Sequence, residues 1–376
     1  MQEPWKVIAA GITITTMTGC DTFNGGNEGA LQMNDDKYPN VVLEMAVKAF
    51  VREPYVQANL GMTVDSVCMR AAGWKAVDFD ALMAVSGASA LFAYHHRNDL
   101  PSHAFLWIGS EERILKATGY DSEWVPFKDE DEAWKLIRQT IDSGRVVKAH
   151  CEGYYVLFMG YQDAVQKEDR KLFSGTNLGE PGWWDWRGFV GWAQSKDVSQ
   201  GKICRHTEER PKLSDEDVAL RVMNDLVAWS TEPPESVRSK APQAKFGLAG
   251  IEQYTEDLAD TEGKPEDYFG SPWRGCYAIN PQLNARNSTG VYLERLAQKK
   301  VFSKEVNGHL FAASKEYKAV YAAWQEFYRQ LGHDAPKNAW ATKKHRLAGA
   351  TAVRDGLEHE KVGIAEIQKA LALIEK

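Results

Sequence analysis

The chain has 376 residues, of which 44% are hydrophobic and 26% are charged, and it carries a formal net charge of −7 at pH 7. This length and composition predict one or two globular domains, each able to bury its own core. The acidic balance argues against a nucleic acid as partner, because a phosphate-binding surface needs an excess of basic residues. No apolar run reaches the roughly 18–20 residues of a membrane-spanning helix, so we predict no transmembrane helix.

The N-terminal segment has a pattern that is typical of a bacterial lipoprotein signal. Lys6 precedes an apolar run at Val7–Thr18, and Gly19 and Cys20 follow it. On this reading, residues 1–39 are a signal and tether. The lipid on Cys20 would then be the only contact with a membrane, and the protein would be extracytoplasmic. Alternatively, Val7–Thr16 is an ordinary first strand and the protein is cytoplasmic.

Strand and helix patterns alternate in residues 40–208. The predicted strands are Asn40–Val47, Leu91–Tyr94, His103–Trp107 and Arg170–Phe173, and the predicted helices are Thr63–Ala72, Phe79–Val85, Ser110–Gly119 and Asp129–Ser143. Between them, Arg145–Asp163 predicts two adjacent strands, because bulky and β-branched residues flank a break at Glu152-Gly153. The second strand is apolar on both faces, which predicts a central strand covered on both sides.

From about residue 209 onward the apolar period changes to that of a helix. Ser214-Asp215-Glu216-Asp217 resembles a capping box, which predicts a helix that begins there. The predicted helices of this half are residues 214–230, Phe246–Leu258, Gln282–Gln298 and Glu305–Leu331, with a loop at Asp260–Trp273. Thr342–Glu375 is predicted to be one long helix or a pair of helices. We therefore predict an all-helical domain at 209–376 behind a mixed domain at 40–208.

The second predicted strand, Gly153–Tyr161, resembles a strand of papain-like folds, in which a catalytic His precedes an apolar run and Gly-Tyr. The position of that His is Tyr154 in this chain. In the same comparison Gln57 precedes Thr63, which occupies the position of the nucleophilic Cys at a helix start. Asn177, in the Gly- and Trp-rich segment Phe173–Phe189, is nearest to the third catalytic group.

More closely, the chain resembles the bacterial family related to the N-terminal domain of butirosin-biosynthesis protein H. The stretches that carry the resemblance are Asn40–Val47, Phe79–Tyr94, Gly144–Asp163, Gly247–Gly250 and Leu283–Leu296. The resemblance implies an α+β fold: a papain-like domain with a central, mostly antiparallel sheet, followed by the helical domain. It implies no cofactor.

The residues at the two main catalytic positions depart from the papain-like pattern. Thr63 has no paired base, and a Tyr side chain with a pKa of about 10 is a poor general base near neutral pH. We therefore predict a catalytically degenerate protein that binds a small molecule or a peptide. The candidate cleft comprises Gln57, Thr63, Tyr154 and Asn177.

A second interpretation is an active cysteine-dependent acyltransferase or amide hydrolase. Its nucleophile would be Cys68 or Cys151, and its base would be His95 or His96. The simpler interpretation places both cysteines in the core and both histidines in a solvated loop. A third interpretation, an envelope-anchored interaction protein, depends on Cys20 and the helical half.

No cysteine or histidine spacing indicates a metal site or a disulfide framework. The densest aromatic group is Trp183, Trp184, Trp186, Phe189 and Trp192. If exposed, it would be a stacking surface for a sugar or a peptide. We favour a buried position between the two domains, because aromatic side chains bury large areas.

Overall fold

The structure is a computed structural model. It describes residues 31–32, 40–44, 46–47, 79–96, 110–151, 154–176, 179–193, 202–209, 213–239, 241–269, 272–332, 335–336 and 338–375. We call these the described residues. The predicted helix Thr63–Ala72 and the predicted strand His103–Trp107 lie outside them.

Ten strands occur among the described residues. They are β1 (Leu31–Gln32), β2 (Asn40–Val42), β3 (Ala93–Tyr94), β4 (Tyr120–Pro126), β5 (Val147–Cys151), β6 (Tyr154–Gln162), β7 (Lys171–Thr176), β8 (Gly179–Asp185), β9 (Lys202–Glu209) and β10 (Lys245–Phe246). Eight of them form one sheet in the order β1-β2-β6-β5-β9-β4, with β7 paired to β6 and β8 paired to β7. Every described pairing is antiparallel.

Among the described residues, the helices between Ser110 and Ala193 accompany this sheet, and those from Asp215 onward form most of the C-terminal part of the chain. The helices are α1 (Phe79–Val85), α2 (Ser110–Thr118), α3 (Glu130–Asp142), α4 (Trp186–Ala193), α5 (Asp215–Trp229), α6 (Glu235–Arg238), α7 (Gly247–Ala259), α8 (Pro265–Phe269), α9 (Pro272–Lys299), α10 (Lys304–Leu331) and α11 (Lys343–Ile374). We call the eight-stranded sheet with α2–α4 the sheet region, and the described residues from 213 onward the helical region. A mixed fold with antiparallel sheets and a helical C-terminal part is therefore confirmed.

β6 is the central strand, as predicted from its apolar sequence. One of its edges pairs with β7, and the other pairs first with β5 and then with β2. Its residues from Val156 to Tyr161 are buried. Gly160 permits the close approach of β2, because a Cβ atom there would lie 2.5 Å from the carbonyl oxygen of Val41.

A register shift in the β6–β7 pair changes which residues of β6 point to each face of the sheet. Phe158 is opposite Ser174, whereas Gly160 is opposite Phe173. Such a bulge turns the next side chains toward the other face. Phe158 therefore shares a face with Ser174, and Gly160 shares the opposite face with Phe173.

The inner face of the sheet packs against α3 and α4. Asp129 caps α3, since its side chain accepts a hydrogen bond from the Glu132 amide at 2.9 Å. The ring of Trp186 lies 4.9 Å from that of Trp134, and the ring of Phe189 lies 5.0 Å from that of Phe158. These edge-to-face contacts form the centre of the inner core.

The predicted aromatic group is divided by this packing. Trp186 and Phe189 are fully buried in the core of the sheet region, rather than between two domains. Trp184 is partly buried, and Trp183 remains 38% exposed. The side chain of Trp192 lies outside the described residues.

Three long helices, α9, α10 and α11, pack together in the helical region. The predicted capping box is confirmed at α5, where the Asp217 amide donates to the Ser214 hydroxyl at 3.0 Å. A buried ion pair crosses the three-helix core, because the Arg286 guanidinium donates to both carboxylate oxygens of Glu360 at 2.6 and 3.1 Å. Arg286 also donates to Gln282 and lies over the ring of Trp324.

Residues 79–96 lie between β2 and β4 in the chain, yet they join the helical region. α1 packs against α9, and the Ser288 hydroxyl donates to the Asp80 carboxylate at 2.7 Å. β3 pairs with β10, so that Tyr94 is opposite Lys245. The boundaries at 40, 208 and 209 stay a prediction, and these contacts connect the two predicted domains.

Several sequence-based expectations are wrong in detail. The strand predicted at Asn40–Val47 ends at Val42, and the chain becomes helical at Glu44. The strands β4 and β9 were not predicted, because their sequences are polar and lack alternation. The loop predicted at Asp260–Trp273 contains α8, and the Gly- and Trp-rich segment forms β8 and α4. The helical region is not purely helical, since it contains β10.

Candidate functional site

The predicted cleft lies only partly within the described residues. Tyr154 is the first residue of β6, directly opposite Cys151, the last residue of β5. The side chains of these two residues are not described. Gln57, Thr63, Asn177, Cys68 and the lipidation candidate Cys20 lie outside the described residues, so their predicted roles stay predictions.

The strand pairing nevertheless shows that the strand starting at Tyr154 and the strand ending just before Asn177 meet at one end of the sheet. Leu157 in β6 is opposite Gly175 in β7, and the strands are antiparallel. The first residue of β6, Tyr154, and the last residue of β7, Thr176, therefore lie at the same end of the sheet. Thr176 directly precedes Asn177 in the chain.

His96 forms the best-defined polar arrangement around a predicted site residue. Its Nδ1 lies 2.7 Å from Oδ2 of Asp257, which is on α7. The Tyr94 hydroxyl donates to the same carboxylate oxygen at 2.7 Å, and the Gln253 amide donates to Oδ1 at 3.0 Å. Three hydrogen-bonding groups thus satisfy a carboxylate that is only 4% exposed.

This arrangement orients the imidazole of His96. A carboxylate on Nδ1 favours the tautomer that carries its proton there, which leaves Nε2 as the proton acceptor. The His96 side chain is 42% exposed, so a proton donor can reach it from solvent. Burial and the hydrogen bond to Asp257 raise the pKa of Tyr94 far above its usual value, so Tyr94 stays a neutral hydrogen-bond donor.

A second group of contacts anchors the end of α7 beside His96. The Arg346 guanidinium donates to the carbonyl oxygens of Asp257, Asp260 and Gly263. The Tyr268 hydroxyl donates to the Asp260 carboxylate, and this bond lowers the pKa of Asp260. The ring of Tyr268 lies 5.6 Å from that of His96. The backbone that carries Asp257 is therefore held in place from α11.

His95 has a different environment, and the interpretation of both histidines as a solvated loop is wrong for it. Its side chain is buried, and its Nδ1 has no hydrogen-bond partner among the described residues. Successive residues of an extended chain point to opposite sides. Of these two histidines, His96 alone is both paired and accessible.

Cys276 does not have the properties of a nucleophile. Its thiol is buried and donates to the Leu331 carbonyl oxygen at 2.7 Å. Burial raises the pKa of Cys276 to about 12. A reactive cysteine needs a lowered pKa and access to solvent, so Cys276 is a core residue.

Within the described ranges, no group of three or more His, Cys, Asp or Glu side chains is arranged to hold a metal ion. None of the described helices combines the length and apolar character needed to cross a bilayer. No protein-family model matches the chain, and a comparison with curated proteins finds no match either. The site must therefore be interpreted from its own geometry.

Sequence reasoning identified His96 but missed Asp257 and Tyr94. His96 and Asp257 are 161 positions apart in the chain, so no local spacing connects them. One signal was present. Asp257 lies beside the apolar stripe of α7 formed by Ile251, Tyr254 and Leu258, where a carboxylate requires a partner.

Proposed function

We propose that this protein has a papain-like fold that has lost its catalytic base and that binds a small molecule or a peptide in the former cleft. The observation that carries the proposal is the position of Tyr154 at the start of the central strand β6, at the sheet end where β7 ends. In a working enzyme of this kind, base and orienting group must be within hydrogen-bond reach of each other. The pairing of β6 with β7 supports a shared site for Tyr154 and the chain that follows Thr176.

The residue types at that end favour binding over catalysis. A phenol does not remove a proton from a thiol or hydroxyl at neutral pH, since its own pKa is about 10. A tyrosine and an amide at a cleft offer hydrogen bonds and an aromatic surface, which suit recognition of a polar ligand. The proposed ligand class is a small molecule or a peptide.

The experiment introduces a cysteine at position 63 and a histidine at position 154, the pair that a papain-like enzyme would carry there. The double variant Thr63→Cys/Tyr154→His should contain a thiolate at pH 6 that reacts with iodoacetamide at least about tenfold faster than Thr63→Cys alone. The matched control is Thr63→Cys/Tyr155→His, whose imidazole is on the neighbouring residue and hence on the other face. Peptide mass spectrometry locates and times the labelling. Equal rates in all three variants would refute the placement of positions 63 and 154 in one cleft.

A second candidate function is the active cysteine-dependent hydrolase or acyltransferase. The His96–Asp257 pair favours it, because a carboxylate-oriented imidazole is the arrangement that activates a nucleophile. On this proposal the wild-type protein carries one cysteine, Cys68 or Cys151, that iodoacetamide labels stoichiometrically at pH 6.

His96→Gln should then slow the labelling at least about tenfold, and His359→Gln should leave it unchanged. His359 is the matched control because its Nδ1 also lies 2.7 Å from a carboxylate, that of Glu316, on the surface of the helical region. Absence of stoichiometric labelling in the wild-type protein would eliminate this candidate and leave the binding function.

The third interpretation, an envelope-anchored interaction protein, depends on residues outside those described. It stays a proposal with a simple test. Cys20→Ala should move the full-length chain from the membrane fraction to the soluble fraction of bacterial cells, and recovery of the wild-type chain in the soluble fraction would contradict it.

A further inference from the structure

The outer face of the sheet region carries two parallel rows of side chains. The first row is polar and crosses four strands: Asn40, Gln162, Lys171 and Asp185 are directly opposite one another in β2, β6, β7 and β8. The second row lies two residues further along each strand and consists of Val42, Gly160, Phe173 and Trp183. Directly opposite residues in antiparallel strands project to the same face, so both rows share one surface.

At the Gln162 end of β6 this face is more exposed than the inner face, whereas Leu157 and Lys148, further along the same face, are buried. The inner-face residues Val41, Tyr161 and Leu172 are buried, whereas Trp183 and Asp185 are exposed. Trp183 stands edge-to-face against Phe173, with ring centroids 5.2 Å apart, which fixes the orientation of its indole. An exposed aromatic ring that is held by a second ring is a preformed stacking surface.

The polar row lines a groove of about 980 Å³. This volume is at the upper end of the range for small-molecule sites. Asp169 and Asp185 line the groove, and neither has an ion-pair partner among the described residues. Asn40 also lines the groove, and its buried Oδ1 atom accepts no hydrogen bond from another described residue. The groove thus offers the carboxylates of Asp169 and Asp185 as acceptors, together with the ammonium group of Lys171 as a donor.

We propose that this face binds a flat, neutral sugar chain, in which the hexose units are β-1,4-linked and their hydroxyl groups are equatorial. Such a sugar presents an apolar face of C–H groups that stacks on the indole of Trp183. Its rim of hydroxyl groups both donates and accepts hydrogen bonds, which matches the mixed row from Asn40 to Asp185. Two residues along a strand span roughly 7 Å, so one sugar on Trp183 places the next unit over the polar row.

A peptide fits this surface less well. A bound peptide would require apolar pockets for its side chains, whereas eight of the eleven residues that line the groove are charged or carry an amide. The proposed sugar site is also separate from the cleft at Tyr154. β6 has nine residues, so its two ends lie roughly 26 Å apart, and the groove is at the Gln162 end.

Isothermal titration calorimetry of the full chain with cellohexaose tests the proposal. We expect saturable binding that Trp183→Ala weakens at least about tenfold, a ratio that corresponds to about 1.4 kcal/mol. Asp185→Asn should weaken it several-fold, because the amide loses one acceptor of the polar row. Phe311→Ala is the matched control, since Phe311 has the same 38% exposure but is on α10, and it should not change the affinity.

Two further ligands distinguish the alternatives. Maltohexaose has the same composition but a curved chain, so we expect it to bind at least about tenfold more weakly. Equal affinity for the two sugars would overturn the assignment to a flat chain. The proposal is also overturned if cellohexaose does not bind, or if Trp183→Ala binds it as the wild-type protein does. The second ligand is pentalysine, a cationic peptide. Binding of pentalysine at Trp183 in place of the sugar would overturn the proposal as well. Thermal melting of each variant confirms that it is folded.

Discussion

Both regions of this protein bury apolar and aromatic side chains, but the helical region also buries an ion pair. The inner core of the sheet region is apolar and aromatic, with Trp134, Phe158 and Trp186 at its centre. The core of the three long helices contains the Arg286–Glu360 ion pair, whose guanidinium is fully buried. An apolar core is sensitive to volume, whereas a buried ion pair is sensitive to the loss of one partner. In the helical region, a variant that removes both charges should restore stability. In the sheet region, a variant that keeps the side-chain volume should preserve it.

The largest effect is expected at the buried ion pair. Glu360→Leu leaves the Arg286 charge buried without a counter-charge, and it should lower the free energy of unfolding by about 3–5 kcal/mol. The double variant Arg286→Met/Glu360→Leu should recover most of this loss, because it removes both charges. Urea unfolding of the full chain measures both variants. If the double variant is as unstable as Glu360→Leu, the loss of stability comes from lost packing and not from the unpaired charge.

The matching test in the sheet region changes volume. Leu157 is fully buried on β6, and Leu157→Ala should cost about 2–5 kcal/mol of unfolding free energy because it leaves a cavity. Leu157→Met keeps the volume and should cost less than about 1.5 kcal/mol. Urea unfolding followed by tryptophan fluorescence measures the difference. Similar losses for the two variants would mean that shape, and not volume, limits this core.

A smaller effect is expected at the start of the helical region. Ser214→Ala removes the hydroxyl that accepts from the Asp217 amide, and it should cost about 1 kcal/mol. Ser214→Asp should keep most of the stability, because aspartate is an equally good cap. Circular dichroism during thermal unfolding compares the three proteins, and equal losses in both variants would contradict a capping role.

The smallest effect concerns a surface carboxylate between α10 and α11. Hydrogen bonds from Lys369 and His309 lower the pKa of Glu366, so the folded state favours its charged form. The stabilisation is fully present above the unfolded pKa of about 4.3 and is lost as the pH falls through the lower folded pKa.

Glu366→Gln should therefore lower the melting temperature at pH 7 and have a smaller effect at pH 3. Glu358→Gln is the control, since Glu358 bonds only to Lys361 on its own helix among the described contacts. A Glu366→Gln loss of equal size at both pH values would contradict an electrostatic origin.

Local patterns predicted the elements whose signals lie within a few residues of each other. The central strand pair, the capping box at Ser214 and the positions of α1, α10 and α11 were all predicted from period and composition. β4 and β9 were missed because they are polar strands that depend on each other for pairing. The predicted cleft residues at 57, 63 and 177 stay predictions, since they lie outside the described residues.

The sequence by itself determined which segments are helices or buried strands, because burial of an apolar stripe requires only the chain's own periodicity. Only the tertiary structure decided which distant polar groups meet. It brought Asp257 to His96, Glu360 to Arg286, and the ends of four strands into one polar row. A hydrogen bond or an ion pair depends on angstrom-scale distances between groups far apart in the chain, and these distances exist only after the sheet and the helices have packed.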